Sequence, residues 1–232
     1  MNPEIIITED GSHSLYNAVL DETYHSRHGA LAESRHVFIQ NGLAQSLSAD
    51  RAIQVLEVGF GTGLNALLTW QYAREARQRV EYVGIERFPL SEELWRRLNY
   101  GTALNAEREF AALHEISWNE PHELETCFHF LKLNIGVEDF EASDTLYDVV
   151  YYDAFAPEKQ PEMWTSETLS VVVRSLRPGG ILVTYCAKGQ FRRNLRGLGL
   201  EVESLPGPPG KRAMTRARKP DEKARKRAMS KS

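Results

Sequence analysis

The residues best suited to chemistry lie in one short stretch, VLEVGFGTGLNALLTW, residues 55–70. A lone carboxylate, Glu57, stands two residues before Gly59, and glycines follow at 61 and 63 with Phe60 between them. An apolar run precedes this turn and a leucine-rich run follows it, so the pattern reads as strand, turn and helix. Such a unit presents backbone N–H groups and a positive helix end at the carboxyl edge of a sheet, where ligands bind. The spacing restricts which ligand. The dinucleotide fingerprint is G-x-G-x-x-G, whereas position 64 here is Leu64. A carboxylate also repels a pyrophosphate, but it attracts a ligand carrying an ammonium and a sulfonium. A bare structural turn explains neither the three glycines nor the acid.

Two more carboxylates end later apolar runs. Glu86 closes VEYVGIE (80–86) and is placed to accept hydrogen bonds from ribose hydroxyls, a role that dinucleotide folds also use. Asp153 leaves the run LYDVVYYDAF (146–155), with Phe155 beside it and Pro157 stiffening the loop beyond. The pattern E-x-G-x-G-x-G is similar to motif I of the S-adenosylmethionine methyltransferases. Methyl transfer is an in-line displacement that demands alignment more than activation. An amine acceptor must in addition be neutral when it attacks. Asp153 can hold such an amine, orient its lone pair and help to take its proton. The alternative is that Asp153 caps its loop or touches only the cofactor.

Strands alternating with helices must position these groups. Strands are expected at 52–58, 80–86, 128–135, 146–155 and 180–187, followed by two more in LEVESL and RAMTRA. Helices are expected at 63–76, 90–100, 166–176 and 189–199, the third stopped by Pro178 and Gly179. This alternation predicts an α/β fold with a mostly parallel, seven-stranded sheet covered by helices on both faces. Residues 1–48 are expected to form an N-terminal extension of short strands and a helix packed on the core. Residues 49–218 form the main domain, with a helical insertion at about 101–127 broken by Pro121. A basic, disordered tail is expected at 219–232.

The 232-residue chain carries a net charge of −4, unevenly placed. Residues 211–232 hold ten Lys or Arg against two Asp or Glu, a net of +8, which leaves −12 for the rest. An acidic body with a basic end suits a polyanionic partner, or is a solvated terminus. No apolar run approaches the roughly 18–20 residues of a membrane span, and the N-terminus shows no signal-peptide pattern. Two distant cysteines, Cys127 and Cys186, form no metal or redox motif, so a reducing, cytoplasmic location is expected. His25-x-x-His28 has no nearby cysteine and matches no strong metal site, so no metal is expected; these read as surface histidines or, second, as protonatable groups near an RNA or cofactor.

Several stretches then coincide with one family: SLYNAVLDETYHSRHGALAESRHVF, LEVGFGTGLNALL, YVGIERFPLS, YDVVYYDAFAPEKQPEMW, RPGGILVTYCAKGQFRRNLRGLG and GPPGKRAM. Across roughly residues 10–217 the chain resembles the MnmC-type tRNA methyltransferase domain. The glycine motif is generic, whereas the DAFAPxKxPxMW stretch and the Tyr24–Ser34 pattern are specific. The resemblance implies the Rossmann-like S-adenosylmethionine-dependent methyltransferase fold. It also implies conversion of 5-aminomethyl(-2-thio)uridine to 5-methylaminomethyl(-2-thio)uridine at the tRNA wobble position. It implies that Glu57, Gly59, Phe60, Gly61, Gly63 and Asn65 line the cofactor's methionine side and that Glu86 holds its ribose. Asp153 would face the amine, with Phe155 beside the substrate, and Lys211 and Arg212 would contact tRNA phosphates. The chain resembles a stand-alone form without the flavin-dependent oxidase domain, so a separate enzyme is expected to supply the aminomethyl uridine. Two departures stand out. Ala213 replaces the acid of the family's K-R-E-M segment, and Val137 follows Gly136 where a Gly-Asp pair near adenine is common. The competing readings are a small-amine methyltransferase or aminopropyltransferase-like enzyme, a nicotinamide-dependent oxidoreductase and a non-catalytic RNA-binding protein. The sequence leaves the oligomeric state open.

Overall fold

The structure is a computed structural model that describes residues 3–48, 50–141 and 147–221. Most of the expected basic tail, beyond Asp221, lies outside the described residues. Three short antiparallel strands open the chain: β1 (Glu4–Ile7), β2 (His13–Asn17) and β3 (Glu22–Thr23). Helix α1 (Ala30–Ser34) follows and runs directly into a π-helical segment, Arg35–Gln40. The expected short strands and helix are therefore present, the helix loosened into a wider turn over its second half.

The main sheet then builds from β4 (Ile53–Val58), helix α2 (Leu64–Ala76) and β5 (Val80–Ile85). Short helices α3 (Glu92–Trp95), α4 (Tyr100–Leu104) and α5 (Glu107–Glu115) lead to β6 (Pro121–Glu125), β7 (Phe128–Leu133) and β8 (Tyr147–Tyr152). Helix α6 (Ser166–Ser175), β9 (Leu176–Thr184), α7 (Gly189–Gly197), β10 (Glu201–Pro206) and β11 (Ala213–Arg218) complete it. The strand order is β10-β11-β9-β8-β4-β5-β7-β6. The central five, β9 to β7, pair in parallel, and antiparallel pairs flank them at both edges.

The alternating strand residues fill two cores. Val149 and Tyr151 of β8 join Tyr82, Phe128 and Phe130 beneath α2, α5 and the π-helical segment. Val150 and Tyr152 face the opposite side, against Leu169 and Val172 of α6 and Phe191 and Leu195 of α7. Each fully buried Val, Leu or Phe contributes roughly 1.5–3 kcal/mol, and this two-sided burial is what makes these strands near-continuously apolar.

Three expectations need correction. The sheet has eight strands among the described residues, because 121–125 is a strand where helical turns were expected. Pro121 begins that strand on the sheet edge, a position where a missing N–H costs no ladder bond. The single helix expected over 90–100 is interrupted between α3 and α4. There Asn99 accepts from the His13 N–H (2.8 Å) and donates to the Gly11 carbonyl (3.0 Å), tying the break to the N-terminal strands. Finally, Pro178 and Gly179 lie inside β9 and not between helix and strand. An irregularity in the β8–β9 pairing between Tyr147 and Val149 accommodates them. Helix α6 ends earlier, its last carbonyls capped by Lys219, whose Nζ lies 3.1 Å from the Val173 oxygen and 2.6 Å from that of Leu176.

Candidate active site

The carboxyl ends of the parallel strands open into a cleft of about 1410 Å³. Its floor is the turn between β4 and α2. Gly59, Gly61 and Gly63 all have positive φ, at 92°, 48° and 76°. A side chain at Gly59 would place its Cβ 2.6 Å from the Asp153 carbonyl oxygen, so only glycine fits there. The Gly59 and Phe60 N–H groups both donate to the Ile85 carbonyl at 3.0 Å, which straps the turn to β5. Glu86 fastens it again, accepting from Gly61 N–H (2.9 Å) and Phe88 N–H (2.7 Å). The acid expected at the ribose thus also braces the loop, one backbone donor on each oxygen.

Glu57 is fully buried at the end of β4. It accepts from Tyr82 Oη (2.7 Å) and Asn65 Nδ2 (2.8 Å), and Asn65 Nδ2 also donates to Asp153 at 2.8 Å. One carboxamide therefore bridges the two acids from adjacent parallel strands. Burial pushes the Glu57 carboxyl well above the usual range, against the lowering effect of those hydrogen bonds. Burial likewise raises Glu86. Asp153 is pushed up to about 7, chiefly by burial and then by the nearby charge of Glu33. Three carboxyls, each with its proton affinity raised by burial, thus surround one turn.

The other side chain of the glycine loop behaves differently from expectation. Phe60 turns away from the cleft into an aromatic cluster, its ring 5.6 Å from those of His114 and Phe130 and 6.0 Å from Trp118. It anchors the loop from below and still lines the cleft. His114 stacks on Trp95 at 4.7 Å and points Nε2 to the Thr62 carbonyl, and burial drives its pKa down to about 3.

The opposite wall comes from the N-terminal extension. Tyr24 meets Phe155 edge-on, ring centroids 5.0 Å apart. His25 is buried and pairs with Thr62 Oγ1 at 2.7 Å; it is no surface histidine, and burial lowers its pKa to about 4. Lys211 was expected to contact tRNA phosphates. The β10–β11 turn folds over α1, so that Lys211 Nζ, about a third exposed, reaches the buried Glu33 at 2.6 Å and lies 3.7 Å from the Tyr185 ring. Arg212, next along, is exposed. Val137 is buried at the far end of the cleft, where Glu138 pairs with Arg87. Ala213, in place of the family's acid, begins β11 opposite Pro206. Glu33 and Tyr185 escaped the sequence reading. Glu33 falls inside the quoted Tyr24–Ser34 pattern, and Tyr185 is a lone hydroxyl ending an apolar strand.

The cofactor can be tested against these residues. Asn65 Oδ1 is buried without a hydrogen-bond partner, an orphan acceptor of the kind that an ammonium satisfies. That acceptor, beside the carboxyls of Glu57 and Asp153, fits an amino acid headgroup on a cationic ligand. Among the described residues no group of three or more His, Cys, Asp or Glu can hold a metal ion, and no helix is long and apolar enough to cross a membrane.

Comparison with known proteins agrees. A family described as S-adenosyl-L-methionine-dependent methyltransferase matches residues 107–220. The tRNA 5-methylaminomethyl-2-thiouridine biosynthesis bifunctional protein MnmC of Cupriavidus necator is 35% identical over 226 residues, 92% of this chain and 34% of the relative. The protein of the same name from Cupriavidus metallidurans is 34% identical over 93% of this chain and, again, 34% of its own length. The chain thus spans about a third of the length of the curated relatives it matches. The crystal structure of MNMC2 from Aquifex aeolicus superposes with a TM-score of 0.75 at 27% identity, covering 97% of this chain and 74% of that one. Spermidine synthase from Thermotoga maritima shares the fold, with a TM-score of 0.53 at 14% identity over 94% of this chain and 70% of that one.

Proposed function

The chain belongs to the MnmC-type family of S-adenosyl-L-methionine-dependent methyltransferases, and from that premise we propose that it methylates the amine of a 5-aminomethyl uridine at the tRNA wobble position. The observation that carries this reading is the placement of Asp153. Its carboxylate is bridged to Glu57 through Asn65, at the carboxyl end of β8, with the Phe155–Tyr24 pair beside it. Glu57, Asn65 and the glycine turn hold the amino acid end of the cofactor, and Glu86 lies where its ribose hydroxyls are accepted. When bound, the cofactor supplies a methyl group on a cationic sulfur, already activated for displacement.

The remaining work falls to the protein. A free alkylammonium has no lone pair to attack with. Asp153, with its proton affinity raised to about 7, takes that proton more readily than an ordinary carboxylate and keeps the amine hydrogen-bonded and aimed. Phe155 and Tyr24 give the pyrimidine an apolar wall. The cleft, at about 1410 Å³, exceeds the roughly 300–1,000 Å³ of a pocket for one small molecule, which leaves room for a nucleoside beside the cofactor. The acidic body of the chain favours a cationic amine, while its basic end suits a polyanion. Another activity must then generate the aminomethyl uridine.

The test is methyl transfer from labelled S-adenosylmethionine to tRNA bearing 5-aminomethyl uridine, followed by nucleoside mass analysis. Gain of one methyl group on the wobble nucleoside is expected. Label appearing only on a small free amine offered in parallel would replace this reading with the small-amine alternative.

A further inference from the structure

The Glu33–Lys211 pair has no role in the chemistry described so far, yet it is built into the substrate wall. Glu33 is 4% exposed. One of its oxygens accepts the Ser26 N–H at 2.9 Å and the other accepts Lys211 Nζ at 2.6 Å. Lys211 in turn lies against the face of Tyr185, whose hydroxyl donates to the Ala154 carbonyl at 2.8 Å. This chain of contacts ends one residue from Asp153. Two further contacts clamp the same walls together. His36 Nε2 lies 2.9 Å from the Pro206 carbonyl, and the His28 ring packs where a Gly210 side chain would be. Burying a carboxylate and an ammonium is costly and is weakly stabilising at best, so a pair placed at the edge of a cleft asks for another explanation.

We propose that Glu33 and Lys211 are a positioning pair for the methyl-transfer step, holding the substrate wall against Asp153 and fixing the charge state in which Asp153 meets the amine. The idea rests on the amine-methylation reading given above. The groups facing Asp153 are few. Glu57 and, behind it, Tyr82 lie beneath it through Asn65, Tyr185 lies beside it, and Glu33 and Lys211 lie across the cleft. His25 is held neutral by burial and feels the same two charges. The negative charge of Glu33 makes Asp153 hold its proton more strongly, and the positive charge of Lys211 makes it hold it less strongly. Neither residue contacts the amine. Their opposite signs keep Asp153 basic enough to accept a proton from an ammonium and acidic enough to release it to solvent.

The experiment exploits those opposite signs. Glu33→Gln keeps the shape and the Ser26 contact but removes the negative charge. Lys211→Met removes the positive charge and keeps the packing on Tyr185. The acid limb of the kcat/KM–pH profile on aminomethyl-uridine tRNA should move to lower pH in Glu33→Gln and to higher pH in Lys211→Met. Lys211→Arg, which keeps the cation, should restore the wild-type limb. The Asp153 carboxyl is titrated directly in parallel by 13C NMR with S-adenosylhomocysteine bound, a readout that needs no turnover and reports that the fold is intact. Shifts in the same direction, or none, overturn the proposal. Failure of the wild type to methylate that tRNA while the two NMR shifts remain opposed would defeat the functional reading and leave the pair's control of Asp153 standing.

Discussion

If Asp153 is the base of the proposed reaction, its environment leads to two expected outcomes. Replacement by Asn keeps the shape and a hydrogen-bonding group but removes the base. Turnover on tRNA should fall by about 10²–10⁴, with little change in calorimetric affinity for S-adenosylhomocysteine. Unchanged turnover would remove Asp153 from the mechanism. The pH dependence has a definite sign. Below about 7 the carboxyl holds its proton and cannot accept the one on the amine, so kcat/KM should rise as pH increases through about 7. In Asp153→Asn that limb should disappear. The sequence placed this acid through its position after an apolar run. It did not reveal the burial and the Glu33 charge that raise it, because both come from parts of the chain distant in sequence.

Among the elements, the β4–α2 turn was the most legible part of the sequence. Its glycines, Glu57 and Asn65 all meet at one corner, as their spacing suggested. The direction of the Phe60 ring was not legible, because a turn residue between glycines gives no sign of which way its ring points. The aromatic cluster that receives it comes from α5 and β7. The ion pair of Lys211 with Glu33 was hidden for a related reason: a Gly/Pro-rich turn gives no sign that it folds over α1. A substitution probes the turn itself. Gly59→Ala puts a Cβ against the Asp153 carbonyl at a φ of 92°, strain worth about 1–3 kcal/mol. Chemical denaturation should register that loss, and calorimetry should show cofactor affinity reduced at least tenfold. Full affinity in Gly59→Ala would mean that the turn is free to rearrange and is not the rigid cradle described.

For the molecule as a whole, the parallel core was readable from its alternating pattern, while its edges were not. The edge strand β6 and the split helix between α3 and α4 depend on their partners, β7 and the N-terminal strands. Opposite the cleft, the sheet is closed by a charge cluster. Asp148, 4% exposed, takes a bidentate pair from Arg51 (2.5 and 2.7 Å), Arg177 at 3.1 Å and the Gln54 N–H at 2.9 Å. Asp148→Ala should cost about 2 kcal/mol, because it removes the acceptor of the Gln54 N–H and the shared partner of two partly exposed arginines, and lower Tm by about 6 °C without altering the pH profile of turnover. A shifted pH profile would show that the two ends of the sheet are coupled.

The Glu33–Lys211 contact joins residues 178 positions apart. A ribosome adding about 5–20 residues per second needs on the order of ten to forty seconds to cover that distance. During that interval the glycine turn and then Asp153 emerge, while the wall carrying Glu33 still lacks its far side. That wall is complete only when β11 slots between β9 and β10 and carries Lys211 into place.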